Sequence, residues 1–167
     1  MINRTTETAF RILIDLGQRP SGEVVSLGKL HRRVGGSQTY LAKVTASLVR
    51  GGLVRSSRGA QGGVTLARAM SEIRMLDVVS VMQGLPEIEH CECTLKEEDE
   101  AFDGCAYHHA LEEIRLAILN VLQSYTVAQF VASSVALKQS GKGEGCRMMG
   151  PFLQDTPLVQ ELGQRSV

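Results

Sequence analysis

Residues His90 to His109 read HCECTLKEEDEAFDGCAYHH and gather three of the chain's four cysteines and three of its four histidines. Thiolate and imidazole are soft or borderline donors. Grouped this densely they suit zinc or an iron–sulfur centre and exclude a hard ion held by oxygen alone. Without a metal, the same thiols can pair, Cys105 with Cys91 or Cys93, and switch by oxidation. The acids between them, Glu97, Glu98, Asp99 and Glu100, read as a solvated turn. The fourth cysteine, Cys146, lies in the glycine-rich stretch SGKGEGCRMMG and is set aside as a ligand, as are His90, His109 and His31.

The rest of the chain must position that chemistry. Its 167 residues and 43% hydrophobic content are enough for one core, which must be aliphatic because aromatics are 4% and Trp is absent. No apolar run is long enough to span a bilayer, and MINRTTETAFRILIDLG lacks the pattern of a signal peptide. The expectation is a cytoplasmic protein with no membrane partner, whose thiols stay reduced. The net charge of zero conceals a division. Residues 1–68 hold 11 Lys/Arg against 3 Asp/Glu, a balance of +8, while residues 69–167 hold 7 against 15, a balance of −8. The front half suits a polyanion and the rear half would be repelled by one.

Periodicity organises the basic half. Ala9, Ile12, Leu13 and Leu16 fall at helical spacing, with Thr5 or Thr6 as the expected N-cap and Gly17 as the stop. Ser26 caps a second helix that ends at Gly35-Gly36. Ser37 caps a third, with Leu41, Val44 and Leu48 on its apolar face, ending at Gly51-Gly52. Two helices joined by a short glycine turn form a helix-turn-helix, whose second helix enters the major groove. LVRSS and VTLAR then read as two strands around RGAQGG, a glycine-rich hairpin flanked by Arg55, Arg58 and Arg68 that makes a wing. Bases should meet Ser37, Gln38, Thr39 and Tyr40, with Gln38 able to pair twice with adenine. Arg4, Lys43, Arg50 and Arg58 suit phosphate, as Arg32 or Arg33 could, while the backbone at Gly59, Gly62 and Gly63 approaches closely.

These residues resemble the Rrf-type, IscR/NsrR-like, winged helix-turn-helix transcriptional regulators. The resemblance is carried by SQTYLAKVTASLVRGGLVRSSRGAQGGVTLAR, residues 37–68, and EIRMLDVVSVMQG, residues 72–84, and extends from about residue 6 to residue 131. One departure is Val64, where many members have an aromatic residue. The family likeness implies a mainly α fold with a small β-hairpin wing and a long dimerisation helix. It also implies a homodimer on a pseudo-palindromic operator in double-stranded DNA, acting as a repressor or activator. Leu111, Ile114, Ile118, Val121 and Tyr125 form the apolar stripe such a helix needs, with Leu119 and Leu122 beside it. The expected organisation is a winged helix-turn-helix over 1–84, a cysteine-containing sensor loop over 85–108, a dimerisation helix and short following helix over 109–137, and a flexible tail over 138–167.

The resemblance also assigns ligands. Cys93 and Cys105 match the first and third cysteines of cluster-bearing members, Asp99 occupies the middle position, and Cys91 is the available substitute. His108 matches the Cys-x-x-His histidine, and Glu7 matches an acidic ligand donated by the other subunit. The implied cofactor is an iron–sulfur cluster, 2Fe-2S favoured over 4Fe-4S because the middle thiolate is missing. The alternatives are zinc, a metal-free thiol switch, or a loop that responds to a protein partner. An enzyme is disfavoured, since no Ser/His/Asp set, P-loop or dinucleotide fingerprint is present. A third class, an interaction module whose winged helix no longer binds DNA, stays open.

Overall fold

A computed structural model describes residues 2–59, 62–85 and 106–140. Cys91, Cys93, Cys105 and Cys146, the acidic turn, and the tail from residue 141 onward lie outside the described residues. The architecture is helical with one two-stranded antiparallel hairpin, in the order α1 (Arg4–Gly17), α2 (Leu27–Val34), α3 (Gln38–Arg50), β1 (Val54–Ser57), β2 (Gly63–Leu66), α4 (Met75–Gln83), α5 (Ala106–Ser124) and α6 (Val127–Gln139). The mainly α fold with a β-hairpin wing is as expected from the sequence.

Helix α1 is the axle. Ala9, Phe10, Ile12, Leu13, Ile14 and Leu16 are all buried, which covers nearly its whole circumference. A helix apolar on every side has to be enclosed, and α1 packs against α2, α3, α4 and α6. Its N-cap is Asn3, whose side chain accepts the Thr6 N–H at 2.8 Å, and not Thr5 or Thr6. Thr6 is fully buried and its hydroxyl is committed elsewhere. The helix ends at Gly17, as expected, and the missing side chain there also lets α6 approach, since a Cβ would stand 2.9 Å from Val131. Nearby, the buried Gln18 amide donates to Ser134 at 2.6 Å, and Phe10 meets Phe130 edge to face at 5.6 Å.

Helices α2 and α3 follow their caps. Ser26 accepts from Lys29 N–H and Ser37 from Tyr40 N–H. Leu30, Val34, Leu41, Val44 and Leu48 close the core beneath them. The hairpin pairs Val54 with Leu66 and Ser57 with Gly63. A third extended residue joins it: Val25 exchanges two backbone hydrogen bonds with Val64, at 2.8 and 2.9 Å. Val64 is therefore a buried wing anchor at the edge of the cleft between the wing and α3.

Helix α5 is the exception to compactness. Leu122 is buried and Ile118 rests on the core, but Ile114, Leu116, Val121 and Tyr125 are 46–52% exposed. The stripe read from the sequence is thus divided: Ile118 and Leu122 meet the core, Tyr125 stacks on Phe130 at 6.1 Å, and Ile114 and Val121 stay about half exposed. Helix α6 belongs to the main core through Val127 and Val131.

Candidate nucleic-acid interface and metal donors

The glycines Gly35 and Gly36, at φ +79° and +83°, end α2 and swing the chain into α3. His31 spans this turn, its Nδ1 lying 2.5 Å from the Gly36 carbonyl oxygen. Beyond the turn, α3 divides by periodicity. Leu41, Val44, Thr45 and Leu48 face inward, while Gln38, Thr39, Lys43 and Arg50 are exposed, as is the cap Ser37. Tyr40 departs from the expectation that it faces bases. It is half-buried, its ring lies against Gly36, and its hydroxyl donates to Thr8 of α1 at 3.2 Å. The reason is angular: one residue past Thr39, the side chain has rotated about 100° toward α1.

The wing lies beside α3. Between them opens a cleft of about 730 Å³ lined by Ala42, Ala46, Val49, Arg50, Ser57 and Arg58, with Gly59, Gly62 and Gly63 along its wing edge. The structure therefore brings together Arg50, Arg58 and the three wing glycines that the sequence marked. Gly59 takes φ +113°. Gly62 is needed for close backbone approach: a Cβ would stand 2.7 Å from the Ser57 carbonyl oxygen. Arg50 is oriented by a 2.8 Å hydrogen bond to Ser47. Residues 24–71 hold eight Lys/Arg and no Asp or Glu, so nothing acidic from this stretch offsets the field of α3 and the wing. The small residues Ala42 and Ala46, which make the cleft, were not singled out in the sequence; their spacing of four on the face of Lys43 was the available signal.

Other cations are engaged within the fold. Arg33 pairs with Asp15 at 3.5 Å and Arg68 with Asp77 at 3.7 Å, which ties them to α1 and α4. Asp15 is buried, and burial pushes its carboxyl above the usual range; Arg19 at 3.4 Å opposes this only in part, and Glu23 adds to the rise. Arg4 is exposed and lines a separate cleft of about 530 Å³ with Glu7, Thr8, Arg11, Gly36 and Tyr40.

Of the expected metal donors, two are described. Glu7 is half-buried in the first turn of α1. His108 is exposed in the first turn of α5, its ring edge-on to His109 at 6.2 Å. Among the described residues no three His, Cys, Asp or Glu side chains converge, and the three thiolates lie outside them.

The Rrf2 family, described as iron-dependent transcriptional regulators, matches residues 2–133. The chain is 32% identical to Protein aau3 of Rhizobium meliloti over 128 residues, which is 76% of this chain and 83% of that protein. Among solved structures it is similar to CymR, the global cysteine regulator of B. subtilis, at 27% identity and a TM-score of 0.64, covering 80% of this chain and 97% of that one. It is also similar to IscR of T. potens, at 30% identity and a TM-score of 0.63, covering 80% and 88%.

Proposed function

The chain belongs to the Rrf2 family of iron-dependent transcriptional regulators, and on that premise we propose that it is a homodimeric, operator-binding regulator whose DNA affinity is set by an iron–sulfur cluster. Residues Ser37, Gln38 and Thr39 meet bases in the major groove, while Arg4, Lys43, Arg50, Arg58 and the backbone of Gly59, Gly62 and Gly63 meet phosphate. The observation that carries the reading is the cleft between α3 and the wing, lined with Arg50 and Arg58 inside a stretch without acids. Two such readers on a dimer fit a pseudo-palindromic operator. The exposed face of α5 at Ile114, Val121 and Tyr125 supplies the dimer contact.

Cys91, Cys93, Cys105 and His108 would hold the cluster, with Glu7 of the second subunit as an oxygen donor. The donor set fits by type: thiolates and imidazole suit iron–sulfur, and a single His raises the potential above that of all-thiolate ligation. With Asp99 in place of a middle thiolate, 2Fe-2S is favoured. When bound, the cluster supplies a redox-labile centre. Under this reading the winged domain spans 1–84, the sensor loop 85–108 and the dimerisation element 109–137, in a cytoplasmic repressor or activator. Among the described residues no helix is long and apolar enough to cross a membrane.

Iron, acid-labile sulfide and zinc measured on protein isolated without oxygen test the cofactor. Matching iron and sulfide with visible absorption support the cluster; colourless protein with zinc would replace it by the zinc-bound alternative, and metal-free protein by a thiol or partner-driven switch. Fluorescence anisotropy on the protein's own promoter tests the DNA reading. A steep loss of affinity with salt is expected, about −0.9 in log–log slope for each phosphate contact. Salt-independent or absent binding would defeat it.

A further inference from the structure

We propose that Gln83, the last residue of α4, is a positioning residue for the reading helix and acts on it through the first turns of α1. The inference rests on α3 being the helix that reads DNA. The Gln83 side-chain oxygen accepts two hydrogen bonds, from the Asn3 N–H at 3.1 Å and from the fully buried Thr6 hydroxyl at 2.8 Å. It thereby holds the cap of α1 to the end of α4. Two residues on, the Thr8 hydroxyl donates to the Arg4 carbonyl at 2.9 Å and accepts from the Tyr40 hydroxyl at 3.2 Å. Tyr40 sits in the first turn of α3, its N–H on the cap Ser37 and its ring on Gly36.

Residues two apart on a helix point about 200° from each other, so Thr6 and Thr8 grip opposite neighbours. The first turns of α1 are a bar clamped between the end of α4 and the start of α3. At its other end α3 meets α4 directly, because Gly51 lies against Val81 with no room for a Cβ. Helix α4 thus holds both ends of the reading helix, one by contact and one by the Gln83–Thr6 and Thr8–Tyr40 relay. A displacement of α4 changes the tilt of α3, the quantity that operator spacing measures. Gln83 also lies two residues before the expected sensor loop over 85–108, which carries three of the cysteines.

A double-mutant cycle on operator affinity tests this, using Gln83→Leu, Tyr40→Phe and the pair in the full-length protein. Residues that act independently give multiplicative effects, whereas members of one relay do not. Each single substitution is expected to weaken operator binding between about two- and tenfold, the range of one neutral hydrogen bond. The double variant is expected to be no weaker than the weaker single. Gln83→Glu keeps the acceptor oxygens and is expected to restore wild-type affinity, which a merely structural loss would not predict. Should Gln83→Leu unfold, Thr6→Val takes its place in the cycle. A double variant equal to the product of the singles, or singles that bind as wild type, would overturn the relay alone. Wild-type protein with no salt-dependent operator binding would overturn the DNA reading and the relay with it.

Discussion

Gly63 lies so close to Val25 that any side chain at 63 would overlap the Val25 carbonyl group. The contact exists because Val25 pairs with Val64 through two backbone hydrogen bonds, making the wing a three-stranded structure at that point. The wing is thereby fastened to the segment leading into α2, and its orientation relative to α3 is fixed by backbone rather than by side chains. Gly63→Ala is expected to separate residue 25 from the wing at a cost of about 2 kcal/mol and to weaken DNA binding. Equilibrium urea unfolding reads the first effect and promoter anisotropy the second. Unchanged stability would mean the strand tolerates a Cβ.

Arg58 and Gln38 have different expected signatures. Arg58→Ala should weaken binding to every sequence alike and lower the magnitude of the salt slope by about 1, as loss of one phosphate contact does. Gln38→Ala should cost about 1–3 kcal/mol on the operator, relax selectivity at one base pair and leave the salt slope intact. Anisotropy titrations over a series of operator variants and salt concentrations distinguish the two.

The buried Asp15 makes stability depend on pH. Burial holds its carboxyl above the usual range despite Arg19. With the folded value raised above the unfolded one, the contribution is full below the unfolded value and is lost as pH rises through the folded value. Relative to Asp15→Asn, which mimics the protonated form, the wild-type protein should gain unfolding free energy as pH falls from neutrality toward about pH 4. Urea unfolding of both proteins across that window checks the sign; a wild type that loses ground on acidification contradicts it.

Val121 and Ile114 on one face of α5, and Tyr125 just past its end, are about half exposed. Val121→Glu would place an unpaired charge at the centre of the proposed dimer contact, which is strongly unfavourable once buried. Sedimentation velocity should show monomer, and operator affinity should fall at least about tenfold because two linked half-sites become separate events. A variant that remains dimeric would place the contact elsewhere.

What the sequence made legible followed local rules. Ser26 and Ser37 cap the helices they precede because a β-region Ser accepting a helix N–H is a contact within three residues. The Gly35-Gly36 turn and the wing glycines were likewise readable, since their backbone demands are local. What was missed is long-range. Thr6 looked like a cap and is spent on Gln83, 77 residues away, leaving the cap to Asn3. Tyr40 looked outward-facing, yet Thr8, 32 residues away, claims its hydroxyl. Gly17 ends α1 as its position suggested, but its second role, making room for Val131, has no sequence signal. At the candidate metal site, Glu7 lies on α1, and His108, expected at the end of the sensor loop, lies on α5, which begins already at Ala106, while the thiolates lie outside the described residues.

The central claim is that the basic reader answers to the soft donors of the rear half. It is tested most directly by measuring operator affinity on a single oxygen-free preparation, first as isolated and again after controlled oxidation has bleached its visible absorption. The account predicts a change of at least about tenfold, equivalent to roughly 1.4 kcal/mol, that tracks the loss of iron and sulfide. An affinity that stays the same while the colour is lost, or a preparation that binds its operator without ever holding iron, would contradict it.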